Sequence, residues 1–161
     1  MTWLGTMPYM SYATIQQLTE RYLERDLRHI TDPDAQVLDA ARAQQALDDA
    51  TAEIDAWLGR RYALPLVSYL TGLPVGSPIV LVRCACDIAI YRMQTLRPAD
   101  DIKDARQRYE DVVKLLKSMA SGDVSIPEVK LRSDVSDNPE TQAIGLPEFG
   151  QPDSLFGRGY R

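Results

Sequence analysis

The sequence predicts an all-α protein, a four-helix core with a proline-rich crossing loop and an extended C-terminal tail. Three observations carry this. Apolar residues recur at helical spacing from Ile15 to Met119. Helix start and stop signals bracket each apolar stretch. Short two-residue alternation appears only after Gly122, in Val124-Ser125-Ile126 and Val129-Lys130-Leu131-Arg132. The chain divides accordingly into an arm at 1–13, a helical domain at 14–122 and a tail at 123–161.

The arm carries Trp3, Met7 and Tyr9 around Gly5 and Pro8, an irregular segment with aromatic anchors. The first helix is expected from about Ile15 to His29, with Thr14 and Gln17 as a capping box. Ile15, Leu18, Tyr22 and Leu27 form most of its apolar face. Glu24 and Arg28 make a favourable i,i+4 pair on the other side. Thr31-Asp32-Pro33-Asp34 is a turn. The second helix is expected from about Asp39 to Arg61, with the stripe Ala43, Ala46, Leu47, Ala50, Ile54, Trp57 and Leu58. Its alanines favour helix and let a neighbour approach closely. Trp57 is either core or interface.

Residues Tyr62 to Pro78 hold Pro65, Gly72, Pro74, Gly76 and Pro78, so they cannot be helical throughout. Their apolar content predicts packing along the helical block or against a neighbour. The third helix starts beside Pro78 and runs to about Leu96. Eleven of the thirteen residues from Ile79 to Tyr91 are apolar, which marks the central helix. The exceptions, Arg83 and Asp87, are open to three readings: an internal pair, a solvent stripe or a catalytic pair. The fourth helix runs from about Ile102 to Ser121 and stops at Gly122. One or both alternating segments beyond it pair as strands, within the chain or between subunits.

Charge is unevenly spread. The net charge is −5, while Asp32 to Leu58 alone sums to −6. A sequence-reading DNA binder normally shows a basic face, so this balance speaks against one. The acids of this stretch, Asp39, Asp48, Asp49, Glu53 and Asp55 among them, form either a solvated helix face or a surface that repels phosphate or meets a basic partner. No signal peptide or membrane span is legible, because the most apolar run is too short.

Catalytic chemistry is sparse. His29 is the single histidine, placed where a helix dipole favours a cation. Cys84 and Cys86 point about 200° apart on a helix and read as small core residues. No glycine-rich phosphate loop and no metal-ligand spacing is present in the sequence. The residues argue against an enzyme and call for no cofactor or metal.

Four segments are distinctive in order and spacing. They are Met10-Ser11-Tyr12-Ala13-Thr14; the run from Ala52 through Glu53-Ile54-Asp55-Ala56-Trp57-Leu58-Gly59-Arg60-Arg61-Tyr62 to Leu66; the run from Val82 to Arg92; and Arg108-Tyr109-Glu110-Asp111-Val112. Together, from about Met10 to Ser125, they resemble the Mu-like phage and prophage family of head–tail connector (neck adaptor) proteins. Two features depart from the family pattern: the Met1 to Tyr9 arm and a longer Val67 to Ser77 loop. The resemblance weakens in the tail, although the closing aromatic and arginine look similar.

The resemblance implies a structural protein of the virion neck, made in the host cytoplasm. Such adaptors form a homo-oligomeric ring of about twelve copies below the portal protein, a closed heterologous assembly. The ring extends the DNA channel and docks a tail-side neck or tail terminator protein. Genomic DNA passes through without sequence-specific binding, and no membrane is involved. On this reading Asp39, Asp48, Asp49, Glu53 and Asp55 are candidate channel-facing acids, since cation contacts to phosphate supply most non-specific DNA affinity. Leu155, Phe156 and Tyr160 become tail anchors on the portal or a neighbouring subunit, with Arg158 and Arg161 as charge contacts. The alternatives are a non-virion phage assembly factor and a small helical DNA-binding regulator.

Overall fold

The computed structural model describes residues 11–32, 34, 36–68, 70–72, 74–95, 102–133 and 135. Among them are five helices: α1 (Ile15–Arg21), α2 (Glu24–Thr31), α3 (Ala40–Leu58), α4 (Ile79–Thr95) and α5 (Ile102–Ser121). The architecture is all-α, with five helices where four were expected.

The difference lies in the first predicted helix, which is broken at Tyr22-Leu23. Both residues adopt extended backbone angles, and Leu23 is left exposed. The apolar pattern explains the break. Leu18 and Leu27 are nine positions apart, so one straight helix would set them about 180° apart. Breaking the helix lets both bury completely. Ahead of α1 the capping box forms as expected: the Thr14 side chain accepts from the Gln17 amide, and the Gln17 side chain accepts from the Thr14 amide. Thr51, buried on α3, holds the entry to this segment by accepting from the Tyr12 amide at 3.0 Å.

Helices α3, α4 and α5 pack mutually, with α1 and α2 laid against them. α4 is central. Ten of its residues, from Leu81 to Met93, are buried, including Asp87. The small residues Ala43, Ala46 and Ala50 of α3 bring that helix close, and Ala105, Val112, Leu116 and Met119 of α5 close the core. His29 sits exposed in the last turn of α2. None of the described helices is long and apolar enough to cross a membrane.

α5 ends at Gly122, whose φ is +95°. The amides of Gly122 and Val124 both donate to the Ser118 carbonyl, at 3.1 Å each. A second constraint acts on this glycine: a Cβ there would lie 2.4 Å from Nη1 of Arg61. Gly122 ends the helix, but the chain does not leave the helical block there. Ile126 and Val129 are buried in the same core. The Ile126 amide donates to the hydroxyl of Tyr62, itself buried, at 3.0 Å. Isolated antiparallel bridges join Tyr62 to Leu131 and Ser68 to Val129. The alternating segment expected after Gly122 therefore pairs within the chain, against the proline-rich crossing. That crossing folds back on itself through a third bridge, Val67 to Pro74, and by the Val75 amide donating to the Leu66 carbonyl at 2.9 Å.

Candidate assembly surface

Cys84 and Cys86 are both buried in α4, and burial pushes each thiol up to about 11. They stay protonated and inert near neutral pH. Among the described residues no group of three or more metal-ligating side chains converges.

The five candidate acids do not share one face. Asp39 caps α3 by accepting from the Arg42 amide at 3.0 Å. Asp55 accepts from the Tyr12 hydroxyl at 2.6 Å, which ties it to the segment before α1. Glu53 turns to the opposite edge of α3. It accepts from Arg92 of α4 at 2.7 Å and from the Tyr109 hydroxyl of α5 at 2.7 Å. Asp48 accepts from Gln44 within α3 at 2.9 Å, and Asp49 is exposed. The helical angles account for this split. The acids flank the alanine stripe on both sides, so those nearest the neighbouring helices are drawn into structural bonds.

Two polar nodes hold the helices in register. In the first, Glu53 joins Arg92 and Tyr109, and the Tyr109 ring stacks on Tyr91 with centroids 4.4 Å apart. Burial first, and then the hydrogen bond to Glu53, pushes the Tyr109 phenol up to about 12. The bond to Glu53 raises Arg92 as well. In the second, the Tyr22 hydroxyl donates to the buried Asp87 carboxylate. Arg83 lies 3.6 Å from the other carboxylate oxygen with its own side chain largely exposed. Arg108 of α5 sits over the Tyr22 ring at 5.8 Å. Burial first, then Asp87, raises the Tyr22 phenol above its ordinary range. Of the three readings of Arg83 and Asp87, the geometry combines two: Asp87 is internal with Tyr22 as its donor, and Arg83 reaches it from the solvent side.

Sequence reasoning missed the Tyr22–Asp87 and Tyr109–Glu53 bonds. The signal was present. A tyrosine on an apolar stripe needs a partner for its hydroxyl, and a lone acid in an apolar helix needs a donor.

The outer surface offers two features suited to a neighbour. One is apolar: Leu64, Leu70 and Ile79 are exposed along the crossing and at the start of α4, with Ile79 the most exposed at 80%. The other is a half-open crevice of about 750 Å³. Its walls include Arg61, Asp123, Ile126, Leu131 and Val135. Trp57 is partly buried between cations, with Arg60 at 5.7 Å and Lys117 at 5.6 Å from its ring, so it is both core and surface. The tail anchors Leu155, Phe156, Arg158, Tyr160 and Arg161 lie outside the described residues.

Comparison with known proteins gives this surface its context. A family model described as Bacteriophage Mu, Gp36 matches residues 12–144. The chain is 41% identical over 116 residues to the Mu-like prophage FluMu protein gp36 of Haemophilus influenzae, covering 71% of this chain and 74% of the relative. It is 34% identical over 130 residues to gene product J of Escherichia phage Mu, covering 79% of this chain and 83% of the relative. The matched span takes in all five helices and the segment that returns to the crossing loop. The chain therefore belongs to the bacteriophage Mu Gp36 family of phage proteins.

Proposed function

We propose that this protein is a head–tail connector, a structural component of the virion neck that forms a ring below the portal. The observation that carries the reading is the Mu Gp36 family match across residues 12–144, on a chain whose sequence segments resemble neck adaptors. The geometry is compatible. The helical block is internally tied by tyrosine–carboxylate and arginine–carboxylate bonds, so its helices are held as one rigid piece. A block tied in this way, with apolar residues exposed on its crossing loop and at the start of α4, suits heterologous contact between identical copies, which closes into a ring.

Within that ring the structural bonds divide the acids by task. Asp39, Glu53 and Asp55 serve helix capping and packing between elements, while Asp48, held by Gln44 of its own helix, and the exposed Asp49 carry negative charge toward passing DNA. The C-terminal residues Leu155, Phe156, Arg158, Tyr160 and Arg161 dock on the portal or a neighbouring subunit. The role is structural, with no cofactor.

Quantitative mass spectrometry of purified particles tests this. A connector is present in mature virions at a fixed ratio to the portal protein. A non-virion assembly factor is abundant in infected cells and missing from particles, and that result would reject the connector role.

A further inference from the structure

The two ends of α3 carry surfaces of opposite charge, each beside an apolar group. At the C-terminal end, Trp57 is only partly buried. The Arg60 guanidinium lies 5.7 Å and the Lys117 ammonium 5.6 Å from its ring. Both cations are exposed, and among the described residues neither is in an ion pair. Other cations of α4 and α5 differ: Arg92, Arg106 and Lys114 each lie within 3.2 Å of a carboxylate. Two like charges gathered on one ring repel each other and favour an incoming carboxylate. Tryptophan and arginine are also the residue types that most often dominate an interface.

At the N-terminal end, residues 32–39 hold Asp32, Asp34 and Asp39 and no base. Asp32 binds the link itself, accepting from the Asp34 amide at 3.0 Å and the Gln36 amide at 3.2 Å. Asp39 caps α3. The side chains of Asp34 and Gln36 are left exposed, and so is Val37, at 69%. An acid beside an exposed valine complements cations beside an indole. The two surfaces cannot meet within one chain, because the 19 residues of α3 hold them about 28 Å apart.

We propose that the Trp57–Arg60–Lys117 surface of one copy receives the Asp34–Val37 link of a second copy, head to tail. The contact rests on the ring reading above for its partner, since complementary patches at two ends of one helix join copies heterologously. It leaves Asp48 and Asp49 free of the interface and uses no residue of the tail.

Sedimentation velocity of the purified full chain, over a range of concentration and salt, tests this without the virion. The intact chain is expected to self-associate, less strongly as salt rises. Arg60→Glu with Lys117→Glu is expected to weaken association at least about tenfold, and so is Asp34→Lys with Gln36→Lys, because each sets like charges against each other. An equal mixture of the two double variants is expected to associate again, since the reversed charges match, and that recovery also shows that both fold. A chain monomeric at every concentration overturns the contact, and so does association that either double variant leaves intact. Weakening without recovery on mixing overturns it too, because those residues then act elsewhere. None of these results changes whether the chain is present in purified particles, so the contact and the neck assignment fail separately.

Discussion

The Tyr22 hydroxyl, at the break between α1 and α2, donates to Asp87, the buried acid of the central helix. This contact gives the helix break a purpose beyond apolar register. It anchors the N-terminal pair of helices to α4 and supplies the donor that a buried carboxylate requires.

Tyr22→Phe removes that donor and leaves Asp87 with Arg83 at 3.6 Å. The expected loss of stability is about 1–3 kcal/mol, the cost of a buried acceptor left without its partner. Adding Asp87→Asn is expected to cost less in the Tyr22→Phe background than alone, because the two share one interaction. Chemical denaturation of the four proteins measures both terms.

Gly122→Ala is expected to destabilise by about 1–3 kcal/mol from its left-handed backbone alone. The new methyl would also meet Nη1 of Arg61 at 2.4 Å, so that flexible side chain must move aside. Shortening Arg61 to alanine in the Gly122→Ala background should recover the steric part and leave the backbone part. Thermal melts of the single and double variants separate the two.

The Tyr109 phenol is held up to about 12, above its ordinary value near 10. The folded state therefore keeps a proton that the unfolded state releases. The associated stabilisation is complete below pH 10 and is lost as pH rises from about 10 to 12. Titration of tyrosinate absorbance should show this late transition, and Glu53→Gln should move it to lower pH by removing the carboxylate's charge.

Cys84 and Cys86 are raised to about 11 by burial. At pH 8 both thiols should resist an aromatic disulfide reagent in the folded protein and react promptly after denaturant is added. Fast labelling without denaturant would mean that α4 opens readily.

The packed helices were largely legible in the sequence because apolar periodicity encodes them directly. α5 has the expected bounds, Ile102 to Ser121, and α4 reads as central from its near-continuous apolar run. The α1–α2 break was also written there, in the clash between the Leu18 and Leu27 phases, but helix propensity through Tyr22-Leu23-Glu24 masked it. The acids were harder. Composition gathers Asp48, Asp49, Glu53 and Asp55 into one run, yet only packing reveals that Glu53 turns to Tyr109 and Asp55 to Tyr12. The return of Ile126 and Val129 to the core was hidden for a related reason. Short bridges between Tyr62 and Leu131 depend on partners far apart in sequence, which local pattern does not encode.

The central claim is that this helical block forms the ring of the virion neck. Symmetry-resolved averaging of the neck in electron cryomicroscopy of purified particles tests it most directly. The connector account predicts a closed ring between portal and tail, into whose density α3, α4 and α5 fit as a rigid body. A neck fully accounted for by other chains, with no density for this block, would contradict it.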